Sequence, residues 1–109
     1  IILTNQLIDK NKSNVEYIKI VKNESLIDTV KKIRKHNINS ILVEGGRILL
    51  NSFINQNLWD EIRIFISNEN NINGVKAPDY KIDKNKNKIK VGKDNLFIIK
   101  NKIYKNEVT

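Results

Sequence analysis

The residues with the strongest claim to chemistry lie in one short run, Ile41-Leu42-Val43-Glu44-Gly45-Gly46-Arg47. The pattern is an apolar stretch ending in an acid, a turn through two glycines, and the start of a helix. Glycines let a ligand approach the backbone closely. A helix N-terminus offers unpaired N–H groups and the positive end of the helix dipole, which together favour a phosphate. Arg47 adds a cation at the same edge. A second reading of the same residues stays open, in which Gly45-Gly46 only makes a sharp turn and Glu44 caps the first helical turn. Thr4 and Asn5, which close the short run Ile1-Ile2-Leu3, are a further candidate pair. Thr4 there suits a turn cap as well as a ligand contact.

Other chemistries are excluded by what the chain lacks. It has no Cys, so it holds no disulfide, thiol nucleophile or Cys-ligated zinc. Its single His, His36, cannot build a His-based metal cluster, and no metal site is expected. His36 falls at the end of a helix, where it suits the dipole. Trp59, Phe53 and Phe65 are expected in a core or an interface, and Asp60-Glu61 reads as a turn cap and a solvated residue.

The 109 residues carry 20 Lys+Arg against 12 Asp+Glu, a net charge of +8. Such a balance can serve a polyanion. Here 20 Ile, 18 Asn and 17 Lys make up half of the chain, the signature of A/T-rich codons, so much of the charge reads as surface filler. The lysines are dispersed, with no basic stripe interleaved with aromatics, which weighs against nucleic acid as a partner. No apolar run approaches the roughly 20 residues that span a bilayer, and the start has no basic n-region or small-residue cleavage site. A cytoplasmic protein without a membrane partner is expected. The chain opens on Ile1 without an initiator Met and is expected to be a piece of a longer protein.

The elements that must position the glycine turn follow from periodicity. Ile1–Leu3 reads as the end of a buried strand, residues 6–14 as a loop, and residues 15–21 as a second strand. Ser25 with Asp28 three residues on resembles a capping box, opening a helix whose apolar face is Leu26, Ile27, Val30 and Ile33. His36 and Asn37 end it, Asn tolerating the left-handed conformation of a C-cap. Residues 40–44, almost wholly apolar, read as a parallel strand covered on both faces. A helix from Arg47 to about Gln56 follows, with Ile48, Leu49 and Phe53 inward. Ile62, Ile64 and Ile66 alternate along a strand over 61–67. The order is βαβαβ, an α/β arrangement on a mainly parallel sheet. After a polar loop over 68–80, Lys84, Lys86, Lys88 and Lys90 share one face at strand period. They read as the solvated face of an edge strand, or more sharply as a polyanion ridge. A last strand over 96–100 is expected to pair with it through a hairpin near Gly92-Lys93-Asp94-Asn95.

Taken together, Val43-Glu44-Gly45-Gly46, Ser52-Phe53-Ile54, the turn Leu58-Trp59-Asp60-Glu61 into Ile62-Arg63-Ile64-Phe65, Gly74-Val75-Lys76-Ala77-Pro78 and the closing strand Leu96-Phe97-Ile98-Ile99 resemble the reductase domain of the bifunctional riboflavin-biosynthesis deaminase/reductase. That resemblance implies a dihydrofolate-reductase-like, three-layer α/β/α mixed sheet, of which residues 1–109 would be the C-terminal portion. The N-terminal part of the domain and the zinc deaminase domain would be absent, and the chain alone would be inactive or nearly so. It implies NADPH as cofactor and reduction of the ribose of 5-amino-6-(5-phosphoribosylamino)uracil to a ribityl chain. Gly45, Gly46 and Arg47 would meet the cofactor pyrophosphate, Glu44 would face nicotinamide and substrate, and Thr4 and Asn5 would approach the adenosine 2′-phosphate. A homodimer is implied too. The competing classes are a basic nucleic-acid-binding module and an oligomerisation module.

Overall fold

Two short β-branched runs open the chain and pair in parallel. In the computed structural model, which describes residues 1–6, 14–69 and 73–102, β1 (Ile2–Thr4) lies beside β2 (Tyr17–Lys19) with Leu3 opposite Ile18. Ile18 is buried. Most of the loop expected over 6–14 lies outside the described residues. The chain divides into two compact units, Ile1–Val43 and Glu44–Thr109.

The first unit continues with α1 (Leu26–Arg34). Its start is set by Ser25, whose side chain accepts from the Asp28 N–H at 3.2 Å. This satisfies one of the donors that a helix leaves free at its first turn. Its end is a turn closed by His36 N–H to the Ile33 carbonyl and Asn37 N–H to the Arg34 carbonyl, with Asn37 at φ 61°. The cap residues thus do what their side chains favour.

Residues 40–44, expected as a central strand, are not one. The stretch from Asn39 to Gly46 has no helix or strand, and Ile41 and Leu42 are exposed. A strand is defined by its neighbours' hydrogen bonds, however apolar its own sequence. Among the described residues no ladder pairs with this one, so the βαβαβ order on a mainly parallel sheet is not formed.

The second unit begins with the glycine turn and α2 (Arg47–Asn55). Three strands follow, β3 (Glu61–Ile66), β4 (Lys88–Val91) and β5 (Asp94–Lys100). They form an antiparallel sheet in the order β3-β5-β4. The strand expected to end the parallel sheet is therefore the edge of an antiparallel one. Its alternation holds: Ile62, Ile64 and Ile66 share a face with Ile99 and Phe97 in register, all at least half-buried. Phe97 is the buried centre of that face. Phe65, on the opposite face, is exposed and so lies outside the core, one of the two places expected for it.

The β4–β5 hairpin turns at Gly92-Lys93, with Val91 opposite Asp94 and Gly92 at φ 60°. Glycine as first central residue of a two-residue turn permits that φ without strain. The Lys-rich strand is shorter than expected. Lys84 and Lys86 lie in a turn before β4, so only Lys88 and Lys90 share a strand face. The ridge of four lysines is not formed, because Asn87 at φ 56° ends the extended run. The mixed set of helices, parallel pair and antiparallel sheet is an α/β arrangement.

Candidate functional site

The glycine turn is built asymmetrically. Gly45 has φ 150°, a conformation that residues with a side chain rarely adopt, and a Cβ there would lie 3.3 Å from the Leu49 Cδ2. Gly46 has φ −71° and ψ 166°, which any residue adopts, and caps α2 without a side-chain hydrogen bond. A Cβ at Gly46 would meet nothing within 4 Å. Gly45 is therefore demanded by the backbone, whereas Gly46 leaves open space before the first turn of a helix. The first intrahelical bond is Leu50 N–H to the Gly46 carbonyl at 3.2 Å. The N–H groups of Arg47, Ile48 and Leu49 precede it and have no carbonyl of their own helix to bond. None of the residues of that turn is itself acidic. Glu44 is exposed at the lip.

Arg47, expected as a free cation, is held. Its Nη2 donates to both carboxylate oxygens of Asp79, at 3.0 and 2.8 Å. The Asp79 N–H donates to the Asn51 Oδ1 at 2.9 Å, and the Lys76 Nζ lies 3.7 Å from the carboxylate. The Arg47 guanidinium, more than any other group, holds the Asp79 carboxyl below its ordinary value. Arg47 and Asn51 are four apart on α2 and so share a stripe, which faces the segment after Pro78. Ile48, expected inward, is 86% exposed, because the stripe facing that segment starts one residue earlier. Leu49 is exposed too, and Phe53 is half-buried as expected.

Sequence reasoning missed Asp79. It follows the Gly-x-x-Ala-Pro residues directly, and nothing local marks an acid there as the partner of an arginine 32 positions away. Asn101 was missed as well. It is buried, and its Nδ2 donates to the Asn57 Oδ1 at 3.0 Å and to the Trp59 carbonyl at 2.7 Å. With Asn101 N–H bound to the Asp60 carbonyl at 2.8 Å, the end of β5 fixes the turn that follows α2. The Trp59 ring meets Tyr80 edge-on with centroids 6.0 Å apart. Glu61, expected to be solvated, is an ion-pair centre. Arg63 Nε donates to it at 2.6 Å and Lys100 Nζ lies at 2.7 Å. Those two cations, Lys100 first, lower its pKa.

Thr4 and Asn5 belong to the first unit. Thr4 ends β1, and its Oγ1 accepts from the Gln6 N–H at 3.1 Å, the bond of a turn cap. Asn5 is exposed. His36 bonds Glu16 through Nδ1. Two shallow concavities among the described residues are lined by Asp60, Glu61, Lys100 and Asn101, and by Val15, Glu16, Tyr17 and His36. Neither includes the glycine turn, which is an open surface feature. No helix among the described residues is long and apolar enough to cross a membrane.

The described residues form an α/β chain in which a Glu-Gly-Gly-Arg turn opens a helix, and comparison with known proteins gives its family. Residues 1–68 match the family described as RibD C-terminal domain. The chain belongs to that family. It is 40% identical over 62 residues to the riboflavin biosynthesis protein RibD of Buchnera aphidicola subsp. Baizongia pistaciae (strain Bp). That match takes in 57% of this chain and 14% of the relative, so the chain spans a small part of the relative's length. No solved structure matches it significantly.

Proposed function

We propose that this chain forms part of the NADPH site of a reductase that converts the ribose of 5-amino-6-(5-phosphoribosylamino)uracil to a ribityl chain in riboflavin biosynthesis. Family membership supports the pathway, and the glycine turn supports the cofactor. Within this reading the chain is the C-terminal portion of a dihydrofolate-reductase-like, three-layer domain. It acts in the cytoplasm as a homodimer, and residues 1–109 by themselves have little or no turnover.

The single observation that carries the reading is Gly46. Its backbone is ordinary, yet it bears no side chain, and it opens onto helix N–H groups that find no partner among the described residues. A residue at which Ser or Asp would cap the helix better than Gly is left bare where a diphosphate would approach. The residues fit such a group: N–H donors from Arg47 to Leu49 to bond it, and the guanidinium of Arg47 beside them. When bound, NADPH supplies the hydride. The protein's part is to hold the cofactor and the sugar at reacting distance and to exclude water. Glu44, exposed beside the turn, would face nicotinamide and substrate, where its carboxylate would orient the sugar.

The test is NADPH oxidation, followed by absorbance, in the protein expressed from its complete reading frame. The expected result is turnover with this substrate and preference for NADPH over NADH, with Gly46→Val weakening NADPH binding. Equal affinity for NADPH in the Gly46→Val variant would remove the assigned role. Binding that falls steeply with salt and does not distinguish the two cofactors would point to the basic surface instead.

A further inference from the structure

Asp79 stands outside both glycine motifs, yet it joins them. Its carboxylate takes both of its contacts with Arg47 from one nitrogen, its backbone N–H is taken by Asn51, and the Lys76 Nζ of the Gly74–Pro78 segment lies 3.7 Å from its Oδ1. The helix thus grips residue 79 by main chain and side chain at once, from two positions one turn apart. Arginine carries about 2 kcal/mol of rotamer entropy when free. Here the guanidinium is held beside the first turn of α2 through Nη2, while its Nε is buried without a hydrogen-bond partner among the described residues.

From this arrangement we infer that Asp79 is a positioning residue of the cofactor site, acting through Arg47 and holding the Gly74–Pro78 segment beside the glycine turn. The inference rests on the NADPH reading above. Two effects of the carboxylate oppose each other. Its charge repels a phosphate, but the repulsion is weakened by solvent, since Asp79 is 59% exposed, and by the Lys76 and Arg47 charges that flank it. Its geometric effect is not screened: without it the arginine must be ordered by the ligand, and the segment carrying Lys76 loses its anchor on α2. Positioning therefore outweighs repulsion, and the sign of the effect on binding is the discriminating quantity.

The experiment measures NADPH dissociation constants by fluorescence titration for the protein from its complete reading frame. The variants are Asp79→Asn, Arg47→Gln, the double variant, and Gly46→Val as reference. Asp79→Asn keeps the side-chain shape and the backbone bond to Asn51, and removes the charged pairing. It is expected to weaken NADPH binding about fivefold, the scale of a well-formed exposed ion pair. In the Arg47→Gln background the same change is expected to have no further effect, because its target is gone. A thermal melt of each variant identifies loss of folding. Unchanged or tighter binding by Asp79→Asn overturns the inference, as does an equal loss in the Arg47→Gln background, which would mark a purely structural role. If Gly46→Val leaves affinity unaltered, the cofactor reading itself fails, and the inference with it. If Gly46→Val weakens binding and Asp79→Asn does not, only the role of Asp79 falls.

Discussion

Alanine at Gly45 and alanine at Gly46 are expected to have different consequences, although the two residues are adjacent. At Gly45 the backbone sits at φ 150°. Holding a residue with a Cβ in so sparsely populated a region costs on the order of 1–3 kcal/mol. The Leu49 Cδ2 at 3.3 Å is the end of a flexible side chain and adds little. At Gly46 the backbone is ordinary and the space is open. Alanine there is a somewhat poorer helix cap than glycine. Against that, it reduces the freedom of the unfolded chain, which favours folding by about 0.4–1 kcal/mol. The two nearly cancel, and the net change stays within about 0.5 kcal/mol. The assay is urea unfolding followed by the fluorescence of Trp59, the single tryptophan, which lies in the same unit as the turn. With a slope of about 1–3 kcal/mol/M, Gly45→Ala lowers the midpoint by roughly 0.3–3 M, and Gly46→Ala leaves it nearly in place. Equal losses at both positions would refute the reasoning, since the turn would then need two glycines for folding alone and Gly46 would carry no message about a ligand.

Other outcomes follow from the same geometry. Asn101→Leu removes the donor to the Trp59 carbonyl and to the Asn57 Oδ1 and is expected to cost about 1–3 kcal/mol in urea unfolding; no measurable loss would show that this buried junction is not a structural joint. Glu44→Gln is expected to lower turnover more than NADPH affinity, measured as kcat against Kd; a change in stability alone would return Glu44 to a helix-capping role. The Glu24 carboxyl is held below its ordinary value of 4.5 by Lys32, then by Thr29, which donates at 2.7 Å. A carboxyl depressed in the folded state adds stability above its unfolded pKa and loses it as pH falls through the folded value. Glu24→Gln is therefore expected to flatten the fall in stability below about pH 4.5, read by circular dichroism of the helices; an unchanged acid limb would contradict the pairing.

The local rules written into single segments were legible. Ser25 and Asp28 announce the start of α1, Asn37 announces its end, and the alternation of Ile62, Ile64 and Ile66 gives the face of β3. Gly92 places the hairpin turn. Each depends on neighbours a few residues away. What the sequence concealed depends on distant partners. The run over 40–44 has the composition of a buried strand, but composition does not supply the ladder that makes one. The antiparallel pairing of β3 with β5 joins Glu61 to Lys100 across a long connection. Asn101 was invisible for a different reason: in a chain with 18 Asn, one that is buried and fully engaged looks like the surface filler around it. The candidate site was legible as a turn and a cation. Its third member, Asp79, was not, because ion pairing at that range leaves no periodic trace.

The central claim is that a dinucleotide phosphate meets the backbone at Gly46. It is tested most directly by recording the amide NMR spectrum of this 109-residue chain during titration with NADPH. Amides are the groups proposed to bond the phosphate, and weak binding suffices to shift them. The largest shifts are predicted at Gly46, Arg47, Ile48 and Leu49, and they should be smaller with NADH. Shifts centred on Lys88 and Lys90, or none in the glycine turn at millimolar cofactor, would contradict the account.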